Sequence, residues 1–164
     1  VRKYAAQVQR EGTLANADAE LARHFGAQLE ARVLLAHGDT ARALAVIERG
    51  WPVGTAGAAI PIFQGETYTH ASERFLRAEL LGATGRTSEA LRWYDTVVED
   101  LGFGIALEAP IALRRAALYE RIGATARARS EYRRAIALWS GADRELQGIV
   151  DVARRREAHL GAIR

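Results

Sequence analysis

Residues 73–97 have the sequence ERFLRAELLGATGRTSEALRWYDTV, which contains a complete helix–turn–helix signal. Gly85 is predicted to end the first helix, because glycine takes the left-handed conformation after a helix without strain. Thr87 is predicted to cap the second helix, since its hydroxyl can accept a hydrogen bond from a free backbone N–H. Ala78 and Ala90 are small residues at positions where the two helices would cross closely. The stretch therefore predicts two helices packed around one tight turn.

The same pattern, Gly-x-Thr-x-x-Ala, occurs three times, beginning at Gly38, Gly85 and Gly123. In each copy a small residue lies seven positions before the glycine, a large residue lies four before it, and another large residue lies nine after it. These three columns are Ala31, Ala78 and Ala116; Leu34, Leu81 and Tyr119; and Ile47, Tyr94 and Tyr132. Such an internal repeat predicts helical pairs that stack on one another to bury their apolar faces.

The repeat columns and the patterns around them predict an all-α fold. The predicted helices span about 15–37, 39–49, 67–84, 87–100, 110–122, 125–139 and 143–160. Pro110 suits the first turn of its helix, and Asp143 suits the N-cap of the last one. That last helix is predicted to have one apolar face, formed by Leu146, Ile149, Val150, Ala153 and Leu160. Two apolar connections, 51–65 and 101–107, separate the helical pairs.

This pattern resembles the tetratricopeptide repeat (TPR) family, in which a small residue, a large residue, the turn glycine, an alanine and an aromatic residue recur. The resemblance covers about residues 24–140 and is strongest in 73–97. It implies a single TPR-like α-solenoid domain over 1–164, with repeats at about 15–50, 67–100 and 110–139 and a capping helix at about 143–160. The chain departs from the family where its glycines lie 47 and 38 residues apart and where Gly50 replaces a preferred alanine.

A second resemblance concerns the segment 138–147, LWSGADRELQ. It is similar to the end of repeat regions fused to bacterial serine/threonine kinases and transcriptional regulators. This similarity implies that the chain belongs to a larger bacterial signalling or regulatory protein. No kinase motif and no DNA-binding motif lies within the sequence itself.

The composition favours helices and excludes several protein classes. The chain has 33 alanines, 22 arginines, one lysine and only three prolines, and alanine is the strongest helix former. The absence of cysteine excludes disulfide frameworks, thiolate metal sites and cysteine nucleophiles. No apolar run approaches the ~18 residues of a membrane span, so no membrane insertion is expected. The first residues lack a signal peptide's apolar segment, which favours the cytoplasm; an upstream signal or membrane segment would instead give an extracytoplasmic location.

No motif in the sequence points to catalysis. The Gly-x-Ser-x-Gly elbow, the His-Glu-x-x-His motif and the Walker-type phosphate loop are missing. The four histidines do not have metal-ligand spacing: His24, His37, His70 and His159. The glycine-rich segment 54–59 lacks the preceding strand and the following lysine of a phosphate site, so it is interpreted as a connection. We therefore expect no enzymatic activity, no cofactor and no bound metal.

Charge is distributed unevenly along the chain. Residues 1–109 have a net charge of −3, whereas residues 110–164 have a net charge of +6. A basic surplus can attract an acidic peptide, or nucleic acid without specificity. However, Glu131, Asp151 and Glu157 lie among the arginines, which favours a solvated surface of helix ion pairs. Specific nucleic-acid binding is not expected, because neither a known motif nor a set of stacking aromatics is present.

The resemblance also implies a function. In TPR-like solenoids the first helices of the pairs line a concave, ligand-binding surface, so a non-catalytic interaction and scaffolding module is expected. On these helices the predicted partner-binding residues are Arg74, Arg77, Arg114 and Arg115. Arginines of this kind can hold the carboxylates of an acidic protein or peptide. The alternative is a structural role, in which the apolar connections mediate assembly into a homo-oligomer or a larger complex.

Overall fold

The computed structural model describes residues 16–50, 71–98 and 105–162, and this part of the chain contains helices and no strand. The helices are α1 (Asn16–Ala36), α2 (Thr40–Gly50), α3 (Ala71–Ala83), α4 (Thr87–Val98), α5 (Glu108–Arg121), α6 (Thr125–Leu138) and α7 (Arg144–Ala162). A short 3-10 turn, Ile105–Leu107, precedes α5. The all-α prediction is confirmed. The predicted connection 51–65 lies outside the described residues, as do residues 101–104 of the second connection.

The three repeat glycines end the helices before them, as predicted. Their φ angles are 79° at Gly38, 82° at Gly85 and 71° at Gly123, in the left-handed region that favours glycine. After α5, the N–H of Ala124 donates to the carbonyl of Tyr119 at 2.9 Å, and the N–H of Gly123 donates to that of Glu120 at 3.0 Å. These two bonds form a Schellman motif, and the turn after α1 has the same pair.

The prediction that threonine caps the second helix is wrong in the first and third turns. Helix α6 begins at Thr125 itself, so its N-cap is Ala124, which has no side-chain cap. In the first turn Asp39 takes this position, and its carboxylate accepts a hydrogen bond from the N–H of Arg42 at 3.2 Å. The Schellman motif explains the shift by one residue. The residue after the glycine donates its N–H to a carbonyl of the preceding helix, and its own carbonyl accepts the first hydrogen bond of the next helix. This residue, and not the threonine that follows it, is therefore the N-cap.

The small and large repeat columns are buried. The alanines at the helix crossings have no exposed surface: Ala31, Ala43, Ala78, Ala90, Ala116 and Ala128. The large residues of the other two columns are all at most 9% exposed: Leu34, Ile47, Leu81, Tyr94, Tyr119 and Tyr132. Helix axes approach closely only where the side chains between them are small. This burial confirms the register that the repeats predicted.

The described helices belong to two compact units. The first contains α1, α2 and the turn residues 83–86, and the second contains the rest of α3 together with α4 to α7. In the first unit α1 packs against α2, where Leu44 and Ile47 are buried. A Cβ added at Gly50 would lie 2.7 Å from the Cβ of Ala27, which is closer than carbon atoms approach without strain. This contact explains why glycine stands where the repeat pattern prefers alanine.

In the second unit, α5, α6 and α7 share one core. Its buried members are Ala116, Tyr119, Ala128, Tyr132, Ala153 and Leu160. Helix α3 packs against α4, with the ring of Phe75 edge-on to that of Tyr94 at 5.7 Å between centroids. Helix α3 also contacts α5, since Arg121 Nη2 donates to the carbonyl of Gly82 at 2.9 Å. These contacts bring α3 and α5, the first helices of their pairs, next to each other.

The predicted apolar face of α7 is right except at Ile149. Val150, Ala153 and Leu160 are buried and Leu146 is half-buried, but Ile149 is 43% exposed. Leu160 lies eleven residues after Ile149, at nearly the same angle around the helix, and it packs into the core of α5 and α6. Neighbouring helices therefore cover this side of α7 near its C-terminal end and leave it exposed near Ile149.

Candidate partner-binding surface

Ion pairs tie α3, α5 and α7 together. Arg114 on α5 pairs with Glu79 on α3. Arg156 on α7 donates to Glu120 on α5, with 3.1 Å between Nη1 and Oε1. Both arginine side chains remain well exposed, at 59% for Arg114 and 57% for Arg156. We call the surface formed by Glu79, Arg114, Glu120 and Arg156 the first-helix face.

Two predicted partner-binding residues, Arg74 and Arg77, contact α4. Arg74 Nη1 donates to the carbonyl of Thr96 at 3.0 Å. The guanidinium carbon of Arg77 lies 4.2 Å from the ring centre of Trp93, which is a close cation–π contact. Both arginines are half-buried. Their contacts hold α3 against its partner helix.

A third predicted residue, Arg115, joins three helices. Its Nη1 lies 2.6 Å from Oδ1 of Asp95 on α4, and its Nε lies 3.0 Å from Oε1 of Glu131 on α6. The side chains of Arg115 and Glu131 are only 17% and 12% exposed. Burial raises the pKa of Glu131 above its usual value, and the charge of Arg115 acts in the opposite direction. Arg115 therefore joins α4, α5 and α6 through a largely buried pair with Glu131 and a pair with Asp95, whose side chain is half exposed.

The four predicted arginines thus contact different neighbours. Arg114 contacts α3, Arg74 and Arg77 contact α4, and Arg115 contacts both α4 and α6. Consecutive residues on a helix differ in direction by ~100°, which separates Arg114 from Arg115. Arg156, which lies on the first-helix face, was missed because α7 was interpreted as a cap. A search for arginines on every helix that adjoins a first helix would have included it.

Glu120 connects the first-helix face to the core. Its Oε2 accepts a hydrogen bond from the hydroxyl of Tyr132 at 2.9 Å, while its Oε1 accepts the bond from Arg156. Burial and then the hydrogen bond to Glu120 raise the pKa of Tyr132 to about 12. The tyrosine therefore keeps its proton at neutral pH and donates to the carboxylate. This bond fixes the carboxylate that holds Arg156.

The acidic residues among the C-terminal arginines form ion pairs, but only Asp151 pairs within its own helix, as the spacing predicted, whereas Glu131 and Glu157 pair with arginines of neighbouring helices. Glu157 on α7 accepts hydrogen bonds from Arg129 at 3.0 Å and from Arg133 at 2.9 Å, both on α6. The bond from Arg129, followed by the charge of Arg133, holds the pKa of Glu157 below its usual value. Asp151 pairs with Arg154 at 2.8 Å. Much of the basic charge of this segment is therefore balanced within the chain.

Within the described ranges, no group of three or more histidine, aspartate or glutamate side chains is arranged to hold a metal ion. None of the helices in this part of the chain is both long and apolar enough to cross a membrane. No known family model matches the chain, and no curated protein matches its sequence.

Proposed function

We propose that the chain is a non-catalytic protein–protein interaction and scaffolding module of a larger bacterial signalling or regulatory protein. In this proposal its repeats are TPR-like, and a protein or peptide partner binds the first-helix face. The buried alanine columns and the glycine turns at the repeat positions support the TPR-like interpretation. The observation that carries the proposal is the side-by-side arrangement of α3, α5 and α7, joined by exposed arginines.

The chemistry of this face suits a partner with carboxylate groups. Arg114 and Arg156 each hold one carboxylate of the chain and are still more than half exposed. A guanidinium group has five N–H donors, so each arginine can bind a second carboxylate while it keeps the first. Of the arginines predicted from the sequence, Arg114 is proposed as a direct contact. Arg74, Arg77 and Arg115 would hold the helices that present it.

The test is capture followed by a binding measurement. The immobilised chain captures a partner from an extract of the source cells, and the purified partner is then titrated against variants. Arg114→Glu is expected to weaken binding by about tenfold or more, because it places a carboxylate against the partner's carboxylates. Arg92→Glu is the matched control, since Arg92 is exposed on α4, a helix that contributes no residue to the first-helix face. Equal losses in both variants, or no loss in Arg114→Glu, would exclude the first-helix face as the site.

The alternative is self-assembly, and one described feature favours it. Phe25 and Leu29 on α1 are 42% and 36% exposed, and residues four apart lie on the same side of a helix. We propose sedimentation velocity over a wide concentration range as the test. Self-assembly predicts a sedimentation coefficient that rises with concentration and falls to the monomer value in the Phe25→Gln, Leu29→Gln variant. A monomer at every concentration would exclude it.

A further inference from the structure

Helix α7 has an exposed apolar stripe in its N-terminal half. Ile149 and Val152 are 43% and 49% exposed, and residues three apart are neighbours on a helix surface. Gly148 lies beside them, and a Cβ added there would meet nothing within 4 Å. Glycine destabilises the middle of a helix, and no close contact within the described chain requires it here. We call the open space at Gly148, beside these two exposed apolar side chains, the notch.

Arginines border this stripe. Arg156 continues the stripe toward the C-terminal end of α7. Arg144 and Arg155 lie along its outer side, because a separation of eleven residues, about three helical turns, places both on the same side of the helix. Neither Arg144 nor Arg155 has an acidic partner among the described residues. The carboxylate of Glu145 is exposed near the N-terminal end of the stripe. Asp151, which pairs with Arg154, lies between Arg144 and Arg155 on the same side. The stripe is thus apolar in the middle, and arginines outnumber acidic residues around it.

We propose that this outer stripe of α7 docks an acidic amphipathic helix of a protein partner. The outer stripe comprises Gly148, Ile149, Val152 and Arg156, with Arg144 and Arg155 along its side. An apolar side chain of the partner helix fills the notch at Gly148 and packs against Ile149 and Val152. Carboxylates that flank the partner's apolar face pair with the arginines. This inference rests on the proposed function, since it specifies the partner's chemistry and extends the site along α7.

Two other occupants fit the stripe less well. A second copy of the same stripe would bring arginines against arginines, and like charges in contact oppose association. A nucleic-acid strand would pair with the arginines but would leave Ile149 and Val152 without an apolar partner, unless its bases stacked on them. The combination of exposed apolar side chains with unpaired guanidinium groups matches an acidic amphipathic helix. The region 110–164, which contains α7, also has a net charge of +6.

The test uses a synthetic probe and the whole chain. The probe is a fluorescent capped peptide of about five helical turns, with leucines on one face and glutamates on both flanks. A control peptide has the same composition in shuffled order and therefore has no apolar face. Fluorescence anisotropy at about 0.1 M salt is expected to show the probe binding at least about tenfold more tightly than the control peptide. Equal affinities would overturn the proposal.

Variants locate the binding on α7. Val152→Gln and Arg155→Gln are each expected to weaken probe binding by about fivefold or more, since one removes apolar contact and the other a charge. Gly148→Gln fills the notch with a side chain. Because glutamine favours a helix more than glycine does, a loss of binding in this variant does not come from unfolding of α7. Ile122→Gln is the matched control, because Ile122 is 55% exposed in the turn after α5 and its change is expected to leave affinity unaltered.

The outcomes separate this inference from the proposed function. Unchanged binding in Gly148→Gln and Val152→Gln would overturn the outer stripe as the site and indicate binding by charge alone. Displacement of the probe by a single-stranded oligonucleotide, with no effect of Val152→Gln on either ligand, would point to nucleic acid and also overturn it. If the probe fails to bind while Arg114→Glu still weakens binding of the captured partner, the proposed function stands and this inference falls.

Discussion

Single residues decide how closely the helices of this chain approach one another. The six repeat alanines have no exposed surface, so each marks a place where backbone lies against backbone. Their recurrence at fixed distances from a turn glycine made them recognisable in the sequence. Gly50 shows the same requirement more strictly, because even a methyl group there would collide with Ala27. The sequence showed Gly50 only as a departure from the repeat, since Ala27 lies outside the repeat columns.

Ala128→Leu should destabilise the chain, because its larger side chain overfills the core between α5, α6 and α7. Overpacking of this kind costs about 1–3 kcal/mol. The matched control is Ala126→Leu, which adds the same atoms two residues earlier at an exposed position of the same helix. Urea unfolding monitored by circular dichroism measures both variants. Equal midpoints for the two would contradict the register assigned to the third repeat.

The same substitution, glycine to alanine, should have opposite effects at Gly50 and at Gly148. At Gly50 the new Cβ would lie 2.7 Å from that of Ala27, so α1 and α2 must separate, at a cost of about 1–3 kcal/mol. At Gly148 there is open space, and alanine should stabilise α7 by about 0.5–1 kcal/mol. Thermal melting of both variants provides the measurement. A gain in stability at Gly50 would show that this close approach is not needed.

At the scale of helices, the sequence predicted the positions of the turns better than the contacts of the surface arginines. Glycine at a helix end is a local signal, because only its own φ angle has to be left-handed, and all three turns were found where the pattern placed them. The N-caps were displaced by one residue, since the hydrogen bonds of the turn shift the start of the next helix. The neighbours of the arginines could not be predicted. These neighbours depend on which helix lies beside each side chain, and the adjacent residues Arg114 and Arg115 contact different helices.

Glu157 should make the attachment of α7 to α6 dependent on pH. The arginine bonds lower its pKa in the folded chain, so its contribution to stability is present above the unfolded value near 4.5 and is lost as pH falls through the folded value. Glu157→Gln should therefore lower the free energy of unfolding at pH 7, and the difference from the unmodified chain should shrink steadily in acid.

The control for this prediction is Asp151→Asn on the same helix. It removes an exposed pair with Arg154, and such pairs contribute about 0–1 kcal/mol. Urea unfolding at several pH values between 7 and about 2.5 measures both variants across the titration range of a carboxyl group. If Glu157→Gln lowers stability equally at every pH, the effect does not come from the charge of its carboxylate.

For the whole molecule, the arrangement of contacts suggests how stability is distributed. Helix α7 packs against α5 and α6, and α1 packs against α2 in a different compact unit. In a stacked repeat array each element depends chiefly on its neighbours, so a defect at one end stays local. A domain with a single shared core would instead lose stability everywhere at once. The two possibilities can be distinguished by a substitution confined to α7.

Leu160→Ala is that substitution, because Leu160 is 5% exposed and packs into the core with α5 and α6. Truncation of a buried leucine costs about 2–5 kcal/mol. If the chain is an array, native-state hydrogen exchange should accelerate by about tenfold or more in α7, while the amides of α1 and α2 keep their protection. Val152→Ala, at an exposed position of the same helix, should leave all rates unchanged. Equal acceleration from α1 to α7 in Leu160→Ala would show one cooperative core and would contradict the repeat-array interpretation.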